Sequence, residues 1–262
     1  MKTKTEKRSP LKDKPLRYAG QSLDEQIEDK ALTTILNWFI FPGVVITLTV
    51  LEWVRYFHPL PAQPVLITVV AIIILVISTF KFVEGARGIK TLQMARDGER
   101  IVAEGLQELI KQGAAVLNDI QGDKFNIDHA VISPHGIFLI ETKTYSKPAK
   151  KDPLITFDEE NVYVDGRSVD RQPIRQAKAL AKWLQELLEK STGQRFFIQP
   201  VILFPGWYTE KMKKGQEVWI LNPKALSTFI ENEPIRLKDT DVHLITFHLS
   251  RYIRTFEPKR KK

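Results

Sequence analysis

A chain of 262 residues is long enough for one domain of ordinary size and an appendage, and 43% apolar with 27% charged residues excludes a disordered polypeptide. Cysteine is absent, which excludes a disulfide framework and any thiolate metal site. The net charge of +8 suits a polyanionic partner, either nucleic acid or an anionic membrane surface; residues 85–262 hold 29 Lys and Arg against 23 Asp and Glu.

In chain order, residues 1–30 read as a polar, basic leader with no core of its own. Residues 31–51 then run 21 positions without a charge, and residues 59–80 run 22. At about 1.5 Å per helical residue, each covers roughly the 30 Å of a hydrocarbon core. Residues 31–83 are therefore expected to form a transmembrane helical hairpin, with spans at about 31–53 and 62–82. Trp38 and Trp53 flank the first span, as rings at a membrane interface do, and Pro59, Pro61 and Pro64 mark a short link. Seven Lys and Arg between Lys2 and Arg17 precede the spans; Lys81, Arg87, Lys90, Arg96 and Arg100 follow them, and the link holds only Arg55. The positive-inside rule then places both termini in the cytoplasm and the chain, as a multi-pass protein, in the cell (inner) membrane, with the lipid bilayer as a partner.

Residues 84–96 are expected to lead away from the bilayer as a helical juxtamembrane linker. Residues 97–255 form the soluble domain, and 256–262 a basic tail. In that domain Val102, Leu106, Leu109 and Ile110 recur at helical spacing. Strands are predicted over 115–120, 125–133 and 136–144, and a short hairpin turning at Asp165-Gly166 follows. A long amphipathic helix covers 173–190, with Pro173 in its first turn, where no amide donor is needed. Strands at 196–204 and 218–221 and helices at 224–231 and 241–255 close the domain. The order argues for an α/β fold with a mixed central sheet flanked by helices.

Ser133-Pro134-His135-Gly136 is a turn signal between two apolar strands. If Ile132 pairs with Ile137 across it, counting outward sets Asp128 opposite Glu141, and Lys143 shares a strand face with Glu141. Like charges in that position destabilise a sheet. A hard divalent cation, Mg²⁺ or Mn²⁺, would turn the repulsion into attraction. The same pattern also fits a lysine that neutralises two carboxylates at a strand end, and a one-residue slip would send Asp128 to the other face.

The D…E-x-K arrangement across a hairpin, between two helices, resembles the PD-(D/E)XK nuclease superfamily. More narrowly, Gly98-Glu99-Arg100-x-Val102, Ile127-Asp128-His129, Gly136-Ile137-Phe138, Ile140-Glu141-Thr142-Lys143 and Gln172-Pro173-x-x-Gln176 are similar to the nuclease-related domain family, NERD, over about residues 95–205. Ile127 stands where the superfamily often has proline, a position without chemical duty. The resemblance implies an αβββαβ core and metal-assisted phosphodiester hydrolysis. It implies that Asp128 and Glu141 bind Mg²⁺ or Mn²⁺, with the Thr142 carbonyl a further ligand. Lys143 would orient or deprotonate the attacking water, Glu99 would hold the metal or its water shell, and Gln176 would reach the site from the long helix.

His129 alternates with Asp128 along the strand and reads as structural. His243 and His248, five apart on a helix, share no face and make no zinc pair. The run Phe204-Pro205-Gly206-Trp207-Tyr208 reads as packed rings at a strand end rather than a stacking platform for bases. Lys211, Lys213, Lys214 and Lys259–Lys262 suit phosphate contacts or a solvated surface equally. The function expected is a membrane-anchored, metal-dependent nuclease acting on nucleic acid, DNA before RNA. The alternatives are a catalytically silent nucleic-acid tether and a protein-binding membrane scaffold.

Overall fold

The structure, a computed structural model, describes residues 14–58, 64–146, 154–169, 172–212 and 215–257. They divide into two compact units: Ser22–Arg96, and the described residues of Met1–Gln21 together with those of Asp97–Lys262.

The first unit is built from α1 (Gln21–Trp38), α2 (Ile40–Phe57) and the greater part of α3 (Pro64–Gly105). Phe39 interrupts the first two, yet its N–H still donates to the Ile35 carbonyl at 3.1 Å, so the helical path is nearly continuous. Helix α1 packs antiparallel to α3. A Cβ at Gly85 would meet Thr34 Oγ1 at 2.3 Å, so only glycine permits this approach. Ser78 Oγ donates to the Asn37 carbonyl at 3.3 Å, the Trp38 and Phe82 rings lie 5.1 Å apart, and Arg96 pairs with Asp24 at 3.3 Å. Elsewhere these helices present apolar side chains outward, among them Ile46, Val50, Trp53, Val65, Ile72 and Phe80. By length and composition two helical stretches, Gln21–Phe57 and one beginning at Val65, can cross a membrane. Residues 84–96, the expected linker, lie within α3; most of the proline link falls outside the described residues.

The second unit is a mixed α/β domain. Its five-stranded sheet has the order β1 (Ala115–Gln121), β2 (Asn126–Ser133), β3 (Gly136–Thr142), β7 (Ile198–Leu203), β9 (Trp219–Leu221). The first three strands pair antiparallel, and β3, β7 and β9 pair parallel. A smaller sheet, order β6 (Arg167–Ser168), β5 (Val162–Val164), β4 (Leu154–Phe157), β8 (Tyr208–Thr209), stands beside it. Neither β4 nor β8 was expected from the sequence.

Alternating side chains of the large sheet supply two cores. On one face Ala130, Ile132, Ile137 and Leu139 pack with Leu180, Leu184 and Leu188 of α5 (Pro173–Thr192) and with Ile245 and Leu249 of α7 (Asp239–Thr255). On the other, Val131, Phe138, Ile140 and Val201 pack with Val102 and Leu106 of α3, Leu109 of α4 (Gln107–Lys111), and Leu226 and Ile230 of α6 (Leu226–Glu231). The sheet is thus sandwiched between helices, as the mixed-sheet expectation held. Phe204 and Trp207 are buried beneath the smaller sheet with Ile155 and Phe157, so the aromatic run packs, and Tyr208 alone of its rings is exposed.

The leader differs from its expectation. Helix α1 already begins at Gln21, and residues 14–20 pack within the second unit: Ala19 is buried and Arg17 pairs with Asp119. A buried carboxylate on β1 gives the leader a fixed docking point that its own composition does not reveal. Residues 1–13 and 258–262, like Lys213 and Lys214, lie outside the described residues.

Candidate active site

The β2–β3 hairpin has the register expected of it. Ile132 pairs with Ile137 and His129 with Ile140, so the next position outward sets Asp128 against Glu141. Both carboxylates are buried, at 5% and 4% exposure. Asp128 Oδ2 accepts the Thr142 N–H at 2.7 Å, and its Oδ1 accepts from Asn126 Nδ2 at 3.5 Å. Thr142 therefore reaches Asp128 through its N–H, while its Oγ1 is buried without a hydrogen-bond partner.

Glu141 Oε1 receives two donors, Lys143 Nζ at 2.7 Å and Gln176 Nε2 at 2.7 Å; Lys143 Nζ also donates to Gln176 Oε1 at 3.1 Å. The triangle depends on how α5 starts. Gln172 takes a left-handed conformation (φ 40°) ahead of Pro173, and the first turn then points Gln176 at the end of β3. Lys143 is held by its own N–H, which donates to the Leu203 carbonyl at 2.8 Å and extends the pairing with β7.

Glu99 arrives from the last turns of α3. A Cβ on the preceding Gly98 would meet Thr144 Cγ2 at 2.0 Å, so the glycine lets the helix lie against the chain just beyond β3. Glu99 is 5% exposed and accepts a hydrogen bond from the Gly20 N–H. The Oε2 atoms of Glu99 and Glu141 are both buried without a hydrogen-bond partner.

The electrostatics follow from this crowding. Burial, then repulsion from Asp119 and Glu141, pushes the Glu99 carboxyl up to about 8. Burial, then Glu141 and Glu99, holds the Asp128 carboxyl well above the usual carboxylate range, against the opposing pull of the Thr142 N–H and Lys143. Removing water from several carboxylates that share one ammonium disfavours their ionised forms, and a bound cation would reverse that. The donor set, all hard carboxylate oxygens with two unpartnered, fits Mg²⁺ or Mn²⁺. Among the described residues, however, no three carboxylates or imidazoles stand together as a ready-made cage. Glu141 Oε1 is taken by Lys143 and Gln176, and Asp128 Oδ2 by the Thr142 N–H.

All five candidate side chains, Glu99, Asp128, Glu141, Lys143 and Gln176, thus gather at one end of the large sheet. One further residue was missed by sequence reasoning. Asp119 on β1 is fully buried, accepts from Asn126 Nδ2 at 3.3 Å and pairs with Arg17. It falls at the β1 position facing Asp128, between the pairs Asn118–His129 and Ile120–Ile127, and is left-handed (φ 50°). A charge inside an apolar strand was the signal that could have found it. His129 is structural, as expected. Its Nδ1 lies 2.9 Å from Asn118 Oδ1, and burial pushes the imidazole down to about 3, so it stays neutral.

Comparison with curated proteins and with solved structures found no match. Residues 95–205, which hold Glu99, Asp119, Asp128, Glu141, Lys143 and Gln176, match the family model described as the nuclease-related domain, NERD.

Proposed function

We propose that this protein is a metal-dependent nuclease held at the cytoplasmic face of a membrane, hydrolysing phosphodiester bonds of nucleic acid, DNA before RNA. The observation that carries the reading is the buried convergence of Asp128, Glu141, Lys143 and Gln176 inside the segment that matches the nuclease-related domain. Asp128 and Glu141 are the residues that would hold Mg²⁺ or Mn²⁺, with Glu99 contributing its unpartnered Oε2. When bound, the ion supplies Lewis acidity and lowers the pKa of water. Lys143 then orients the attacking water and stabilises negative charge at the scissile phosphate, and Gln176 keeps Lys143 and Glu141 in register.

The membrane part of the reading draws on two independent supports. The helices of Ser22–Arg96 are long, apolar and exposed. Residues 14–20 and the domain beginning at Asp97 belong to one compact unit, so the chain between them has to leave and return on the same side, which suits an even number of crossings. The Lys and Arg bias makes that side the cytoplasm.

One observation favours a silent tether instead: among the described residues no three ligands converge as a cage. Incubating the purified full chain with labelled DNA or RNA and either Mg²⁺ or Mn²⁺ separates the two. The nuclease reading expects cleavage that EDTA stops and that Glu141→Ala abolishes. Binding without cleavage in either metal would establish the tether.

A further inference from the structure

Residues 14–20 run along the candidate site and are fixed there at two points three residues apart. Arg17 Nε donates to Asp119 Oδ2, with the guanidinium side chain 16% exposed and the carboxylate side chain wholly buried. The Gly20 N–H donates to Glu99, from a left-handed conformation (φ 76°) that favours glycine. A third contact, Lys14 Nζ to Glu257 Oε1 at 2.8 Å, is exposed on both sides and contributes little.

The two inner fixings are of another kind. Burying the Asp119 carboxylate costs several kcal/mol unless it is paired and hydrogen-bonded, and Arg17 supplies a charged partner beside the Asn126 amide. Three residues further on, the Gly20 N–H donates to Glu99. None of residues 14–20 lies within the segment that matches the nuclease-related domain.

We propose that Arg17 is a positioning residue of the active site: acting through Asp119, it seats residues 17–20 so that the Gly20 N–H holds Glu99 near Asp128 and Glu141. The site is then completed by a segment that precedes the membrane-type helices, and the domain that follows them is incomplete alone. This rests on the reading of the carboxylates as metal ligands.

Charge and position make opposite demands, which makes the idea testable. By charge alone, removing Arg17 should tighten cation binding, because a nearby positive charge is lost. By position, it should weaken it. Manganese titration of the full chain in detergent micelles, read from the electron paramagnetic resonance of free Mn²⁺, is expected to show Arg17→Gln binding about tenfold more weakly. Arg17→Lys, which keeps a cation for Asp119, should stay within about threefold of wild type. Unchanged or tighter binding by Arg17→Gln would overturn the proposal. Should that variant fail to fold, the protease measurement on Asp119→Asn decides the proposal.

A second measurement needs no metal. Trypsin should cut after Arg17 slowly in wild type and at least about tenfold faster in Asp119→Asn; equal rates would overturn the proposal. If wild type binds no Mn²⁺, the metal reading fails and takes the positioning role with it. A protected Arg17 in that same protein would show that the fault lies with the site and not with the strap.

Discussion

Lys143 Nζ and Glu141 Oε1 stand 2.7 Å apart, and the same oxygen takes a second hydrogen bond from Gln176 at 2.7 Å. One carboxylate oxygen is thus saturated while its twin, Oε2, is buried with no partner. The lysine takes one oxygen of this side chain and leaves the other for the proposed cation, so their contributions should separate. Lys143→Met is expected to bind Mn²⁺ at least as well as wild type, since a competing cation is gone, while turnover falls by about a hundredfold or more. Glu141→Gln should lose both. Calorimetric titration with Mn²⁺ beside a single-turnover cleavage assay reads the two effects.

Glu99 makes stability and metal binding depend on pH in opposite ways. Its folded pKa of about 8 lies above the ordinary 4.5, so the folded chain holds this proton more tightly than the unfolded chain. The stabilisation is fully present below about pH 4.5 and is lost as pH rises through about 8. Metal-free protein should therefore lose stability across that window by roughly a few kcal/mol. Glu99→Gln, which has no proton to lose, should flatten the loss and melt higher than wild type at pH 9. Binding of Mn²⁺ must displace the same proton, so affinity should rise from pH 6 to pH 8 in wild type and less in Glu99→Gln. Thermal melts and titrations at several pH values check both halves.

The paired leader also bears on topology. Because residues 14–20 share a compact unit with the domain beginning at Asp97, a reporter fused to either end should read the same side of the membrane, and the Lys and Arg distribution predicts the cytoplasmic side. Opposite readings at the two ends would contradict the fold of the second unit as well as the orientation.

What the sequence revealed depended on the range of the interaction. The β2–β3 hairpin was legible because Ser133-Pro134-His135-Gly136 sets the turn and strict alternation then carries the register out to Asp128 and Glu141. Helix α5 was legible from Pro173 and its apolar stripe, whereas the reach of Gln176 to the site came from the resemblance to the nuclease-related domain alone. Helix α1 was placed ten residues late, because its polar first turns carry no apolar period to mark them. The pairing of Arg17 with Asp119 spans 102 positions and two elements, and no local pattern encodes it. Asp119 also breaks the pleat. Ile120 and Ile127 join the same core as Leu117 and Ala130, three positions away, which strict alternation forbids and the left-handed Asp119 allows. The short strands β4 and β8 were lost for a related reason: at four and two residues they show no alternation to count.

The proposed function requires a divalent cation bound by the buried carboxylates, and the most direct measurement is anomalous scattering at the manganese edge from crystals of the full chain grown with Mn²⁺. The account predicts a peak within bonding distance of Asp128 and Glu141 carboxylate oxygens, abolished in Glu141→Gln and retained in Lys143→Met. A fully formed site without such a peak at saturating Mn²⁺, or a peak unaffected by Glu141→Gln, would contradict it.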